Sequence, residues 1–231
     1  MISFVCWRWH VPGYRSTFGP EAVNTLARMV RRHYPARHRF LCVTNDRAGI
    51  NGEIEIVPDR ADFADVGSPH GGANPSCYRR LRMFHPDAAR TFGERIVSLD
   101  LDAVIVGDLR PLVDRPENFV AWRDPLSPRQ YNGSLIILRA GSRPKVWTDF
   151  DPAASPRRAL AAGFKGSDQA WISCALPDEA TVGREDGVLS YRKDVRGKAL
   201  PADARIVFAH GAQDPWGDEM QRLEWVREHY G

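Results

Sequence analysis

Long apolar runs are missing from this chain. No stretch approaches the roughly 18 consecutive apolar residues of a membrane-spanning helix, and the first residues lack the basic start, apolar core and cleavage site of a secretory leader. Cysteine is scarce: Cys6, Cys42, Cys77 and Cys174 stand far apart with no Cys-x-x-Cys pair, which argues against a zinc or redox motif and for small buried thiols. A reduced, cytoplasmic setting is therefore expected. Lysine is nearly absent, with only Lys145, Lys165, Lys193 and Lys198, and every other basic side chain is arginine. So uniform a bias weakens any local arginine cluster as a signal. A net charge of +3 implies no general polyanion surface, so nucleic acid is not an expected partner.

What is present is ordinary globular composition: 231 residues, 43% hydrophobic and 26% charged, enough for one domain over residues 1–231 with a full sheet and helices on both faces. Ile2 to Trp7 reads as a first strand. The loop after it crowds Trp7, Trp9, His10 and Tyr14, either a stacking platform for a flat base or a lid of packed rings. A helix follows from Pro20 with Val23, Leu26, Ala27, Val30 and Tyr34 on one face, stopping at Pro35. Phe40–Thr44 and Ile54–Val57 are two further strands. Strand, helix, strand with parallel return opens a doubly wound sheet. Residues 59–75 read as a long polar loop, and Cys77–Phe84 as a short helical stretch whose Arg79 and Arg82 share a face while Arg80 points elsewhere.

The stretch Arg95 to Leu112 organises the rest. Ile96, Val97 and Leu99 make a buried strand that ends on Asp100 and Asp102, two carboxylates a sheet interior does not tolerate unpaired. In an open α/β sheet ligands sit beyond the carboxyl ends of the strands, where hard cations such as Mg²⁺ or Mn²⁺ take oxygen ligands. A surface turn carrying two Asp is the plainer alternative. Strands follow at Phe119–Trp122 and over Tyr131–Leu138, where Asn132 and Gly133 stand at the mouth of an apolar run. Val146–Phe150 and Ala159–Phe164 read as helical fragments. Asp168 and Gln169 open another helix, with Ser167 or Asp168 as a candidate cap. Val188–Arg192 and Arg205–Ala209 read as short strands, the second ending at His210, and residues 215–230 as a final helix with Met220, Leu223 and Val226 inward.

Four features in this order, Asp100-Leu101-Asp102, Asn132-Gly133, Asp168-Gln169 and His210-Gly211 leading to Pro215-Trp216, resemble the retaining nucleotide-sugar-dependent glycosyltransferases of family eight. The resemblance implies a GT-A-like α/β domain with a mostly parallel central sheet, and a nucleotide-sugar donor, a UDP-sugar, whose hexose passes to a glycan, lipid-linked or small-molecule acceptor. It assigns Asp100, Asp102 and His210 to Mn²⁺ (or Mg²⁺) on the diphosphate. Tyr14 would lie beside the base and Arg80 would be the basic residue after the third strand. Leu101, Asn132, Gly133, Gly211 and Trp216 would line the donor, and Asp168 and Gln169 would serve catalysis at the transferred sugar.

Chemistry agrees with those roles, because a cation held by two carboxylates and an imidazole acts as a Lewis acid on a leaving diphosphate. Asp214 departs from the pattern: it stands where the family usually has Lys, and its charge opposes a diphosphate. An inactive sugar-nucleotide or glycan binder is thus a second reading. A phosphatase of the haloacid-dehalogenase type is a third, from Leu99-Asp100-Leu101-Asp102, although that family carries its pair on the first strand.

Overall fold

The structure, a computed structural model, describes residues 1–10, 18–69, 76–210 and 213–230. The strands are β1 (Ile2–Arg8), β2 (His38–Thr44), β3 (Glu55–Pro58), β4 (Arg95–Leu99), β5 (Ala103–Ile105), β6 (Phe119–Arg123), β7 (Tyr131–Arg139), β8 (Ala180–Val182), β9 (Val188–Ser190) and β10 (Ile206–Phe208). The helices are α1 (Pro20–His33), α2 (Ala88–Phe92), α3 (Arg110–Val113), α4 (Lys145–Thr148), α5 (Ser155–Ala161), α6 (Asp168–Ala175), α7 (Asp218–Gln221) and α8 (Glu224–Tyr230), with a 3₁₀ helix at Cys77–Phe84.

Seven strands form the main sheet in the order β3-β2-β1-β4-β7-β6-β8, parallel except for β7, which runs against both β4 and β6. The period of two along each strand divides the apolar residues between two cores. Phe4, Cys6, Cys42, Val97, Leu99, Leu135 and Ile137 face α1 and α8, while Val5, Trp7, Leu41, Ile96, Ile136 and Leu138 face the 3₁₀ helix, α2, α4 and α6. On the first face α1 buries Val23, Leu26, Ala27 and Val30. Pro20 pre-sets its first turn, and Glu21 at the start and Arg31 and Arg32 at the end complement its dipole.

The chain leaves this sheet at Asp100. β5 begins three residues later and belongs to a second, three-stranded sheet of order β5-β10-β9, in which β5 runs antiparallel to β10. Asp100-Leu101-Asp102 is therefore the hinge between two sheets. Asp100 ends β4 of the main sheet, whereas His210 arrives from β10 of the second sheet. The final helix is broken into α7 and α8, though Met220 and Val226 are buried as expected and Leu223 packs against them. β9 stops at Ser190 and gives way to a π-helical turn over Tyr191–Val195.

Candidate active site

An open cleft of about 380 Å³ lies beyond the ends of β4 and β7, lined by Arg80, Asp100, Asp124, Asn132, Ser134, Asp168, Gln169 and His210 among others. Local structure explains each arrival. β4 delivers Asp100 as it ends. Pairing of Phe208 with Ala103, extended by a 3.0 Å hydrogen bond from the Ala209 N–H to the Asp102 carbonyl, carries His210 alongside the Asp pair. Asn132, Gly133 and Ser134 belong to β7, next to a bulge in β6 after Ala121. Asp168 and Gln169 open α6.

Arg80 is the centre of the polar network. In the 3₁₀ helix, residues three apart share a face, so Arg79 and Arg82 pair with Asp59 and Asp62 while Arg80 turns the other way, only 6% exposed, into the cleft. Its Nε donates to Asp168 Oδ2 at 2.7 Å, and its Nη1 donates to Asp100 Oδ1 and, at 3.2 Å, to the Gly133 carbonyl. Burial works against the guanidinium's charge, but Asp100 and Asp168 outweigh it and raise its affinity for the proton. A Cβ on Gly133 would stand 2.5 Å from Arg80 Nη2, so any larger residue there requires the Arg80 guanidinium to shift from its bonds to Asp168 and Asp100. Asp168 is 1% exposed; it is no cap, but half of a buried ion pair. Ser167 accepts from the Cys77 N–H at 3.0 Å rather than capping α6.

The two carboxylates of the Asp pair differ. Asp100 is held on both oxygens, by Arg80 and by the Ser134 hydroxyl at 2.7 Å. Asp102 keeps a buried Oδ1 with no hydrogen-bond partner, and burial, with the charges of Asp100 and Asp214 added, pushes its carboxyl up to about 8. His210 is lowered by burial and by Arg192, against the pull of Asp124 and Asp100, and its Nε2 is 2.9 Å from Ser190 Oγ. In kind this donor set fits a hard divalent cation: two carboxylates, one with an orphaned oxygen, and an imidazole disposed to be neutral. As placed, no three His, Cys, Asp or Glu side chains among the described residues are grouped tightly enough to hold an ion.

Gln169 Oε1 accepts from the Gly133 N–H at 3.3 Å. Asn132 donates to Asp124 Oδ2 at 3.1 Å and accepts from the Ser134 N–H at 3.0 Å. Leu101 lies between the two Asp with its side chain buried in the core. Trp216 is outside the cleft lining, 42% exposed, its ring edge-to-face with Phe18 at 5.6 Å. Tyr14 and Gly211 lie outside the described residues. Trp7 is a core residue bonded to Ser98 Oγ at 3.0 Å, and Trp9 lies under the Arg79 guanidinium. Sequence reasoning missed Asp124 and Ser134. The only signal for Asp124 is a carboxylate directly after a strand, and for Ser134 a hydroxyl within an otherwise apolar strand.

No protein-family model and no curated protein matches the chain. Solved structures do. A galactosyltransferase, LgtC, in complex with donor and acceptor sugar analogues, shares 14% identity over 97% of this chain and 93% of its own, with a TM-score of 0.63. The fold is GT-A-like. The glycosyltransferase GlyE of Streptococcus pneumoniae shares the same GT-A-like architecture at 12% identity and TM-score 0.56, over 99% of this chain and 63% of its own. The bifunctional glycosyltransferase WbbM gives 12% and 0.58, over 98% and 50%. An LgtC structure with an active-site glutamine changed to glutamate also matches, at 12% identity and TM-score 0.61, over 97% of this chain and 93% of its own. Among the described residues, no helix of this GT-A-like chain is long and apolar enough to cross a membrane.

Proposed function

We propose that this chain is a metal-dependent glycosyltransferase that moves a hexose from a UDP-sugar to a hydroxyl acceptor with retention. The observation that carries the reading is Asp102 Oδ1, a sealed acceptor with no donor, at the hinge that brings His210 to the Asp pair. Leaving such an atom unmatched costs about 1–3 kcal/mol, a cost a bound cation removes. Likeness of fold to glycosyltransferases, one of them solved with donor and acceptor analogues, supports the same reading.

In this proposal Asp100, Asp102 and His210 hold Mn²⁺ or Mg²⁺ over the donor diphosphate. Bound there, the cation supplies Lewis-acid stabilisation to the departing nucleotide diphosphate. Asn132 and the Gly133 backbone shape the wall beside the donor, and Asp168 and Gln169 face the transferred sugar from the start of α6. LgtC has an active-site glutamine, and Gln169 is the glutamine lining this cleft. Arg80 acts through the carboxylates it aligns.

One observation favours a second reading. Among the described residues Arg80 is the only Lys or Arg lining the cleft, and it is committed to Asp100 and Asp168. Among the described residues, a diphosphate therefore meets no uncommitted Lys or Arg on that wall, and Asp214 adds its charge near Asp102. That fits a binder that has lost turnover. The phosphatase reading finds no support, since the Asp pair follows β4 and not the first strand. Incubating the protein with UDP-hexoses and Mn²⁺ and following UDP release separates the two remaining readings. Release that stops in chelator is expected; Mn²⁺-dependent UDP binding without any release establishes the binder.

A further inference from the structure

Four large apolar side chains stand exposed among the described residues, and two of them, Leu126 and Leu160, belong to segments that are joined at the lip of the cleft. Leu126, 59% exposed, lines the cleft together with Gly166 and Ser167. A tight turn holds it there: Asp124 Oδ1 accepts from the Leu126 and Ser127 N–H groups at 2.8 and 2.9 Å. Leu160, 41% exposed, lies on α5, which buries Ala159 and leaves Arg157, Arg158 and Leu160 outside. Gln130 joins the two segments, its Nε2 donating to the Lys165 carbonyl at 2.7 Å and its Oε1 accepting from the Lys165 N–H at 2.8 Å. The Phe164 N–H then ties this junction to α5 through the Ala159 carbonyl at 3.0 Å.

The same segments expose Arg129, Arg157, Arg158 and Lys165, and no acidic residue stands between Asp124 and Asp149 or between Asp151 and Asp168. Arginine is common throughout the chain, so number alone says little; pairing is what differs here. Elsewhere Arg39 meets Glu55, Arg110 meets Asp108 and Arg143 meets Glu179. Among the described residues none of these four basic side chains pairs with a carboxylate, and Arg158 lies over the Trp171 ring at 5.6 Å. We infer that this lip docks on an anionic lipid surface and that the acceptor hydroxyl is carried by a lipid-linked molecule. The acceptor assignment rests on the transferase reading above; the docking surface stands without it. Each Lys or Arg near an anionic membrane strengthens binding about fivefold, and apolar side chains among the cations add burial at the headgroup boundary. Nucleic acid would engage the charges and leave the two leucines unused.

The test is co-sedimentation with vesicles of phosphatidylcholine, alone or mixed with phosphatidylglycerol, in the absence of donor and metal, beside titrations with poly-glutamate and single-stranded RNA. Wild type is expected to bind the anionic vesicles, less at high salt, and to ignore the neutral ones. A triple variant, Arg157→Gln with Arg158→Gln and Leu160→Ser, is expected to bind them at least roughly tenfold more weakly while melting as wild type does. Wild type that binds no anionic vesicle overturns the proposal, as does equal binding by the triple variant, or binding to poly-glutamate or RNA in place of vesicles. UDP release by a protein that ignores vesicles removes the docking surface and leaves the transferase reading intact. Vesicle binding without UDP release keeps the surface and removes the acceptor assignment.

Discussion

Arg80 gives its Nε to Asp168 and its Nη1 to Asp100 and the Gly133 carbonyl, so truncating it strands charge in a sealed place. Breaking one side of a buried ion pair costs about 3–5 kcal/mol. Arg80→Ala is accordingly expected to lower unfolding free energy in urea by about that amount, and Arg80→Lys to recover only part, because an ammonium lacks the guanidinium's fork. An Arg80→Ala protein as stable as wild type contradicts the clamp. Gly133→Ala tests the same contact from the other side. Its added Cβ must displace Arg80 Nη2, and overpacking of this kind costs about 1–3 kcal/mol. Weakened UDP binding should accompany the loss of stability, and a variant unchanged in both would contradict the steric account. Asp100, Asp168 and Gln169 were legible as site candidates because short motifs mark them. The Ser134–Asp100 bond was not, because it joins residues whose proximity only the antiparallel return of β7 creates. Sequence spacing separates Arg80 from Arg79 and Arg82; it does not reveal that Arg80 is buried between two carboxylates.

Between elements, α1 and α8 meet through the His33 and His229 rings, 5.7 Å apart, and through Arg32, which donates to the His229 carbonyl at 3.1 Å. The His33 Nε2 is buried without a partner. Burial first, then the charges of His229 and Arg32, lower the proton affinity of His33, and Asp108 opposes them in part. With the folded value below the ordinary 6.5, the unfolded chain binds the proton first as pH falls, so this contribution is complete above about 6.5 and declines below it. Melting temperature should fall as pH drops from 7 toward 5, and His33→Phe should flatten that slope; an identical slope in the variant would rule out His33 as its source. The α1 stripe and the apolar strands were readable from periodicity. β8 and β5 were not, since Ala180–Val182 and Ala103–Ile105 are three residues long and owe their strand form to neighbours distant in sequence. The break between α7 and α8 leaves the inward pattern at Met220 and Val226 intact, which is why one helix was expected there.

At the scale of the whole molecule, two sheets meet at Asp100-Leu101-Asp102, and the pairing of β5 with β10 brings His210 to that junction. The mostly parallel sheet could be read in advance from the strand, helix, strand opening. The second sheet could not, because nothing local announces that the chain changes sheets between two aspartates. We propose that this junction binds a divalent cation together with a nucleotide diphosphate. Calorimetric titration of UDP into wild type and Asp102→Ala, each with Mn²⁺ and with excess chelator, tests it most directly. Binding by wild type only in the presence of Mn²⁺, and its loss in a folded Asp102→Ala protein, is the predicted result. UDP affinity in chelator equal to that with Mn²⁺, or an Asp102→Ala protein that binds UDP as wild type does, would contradict it.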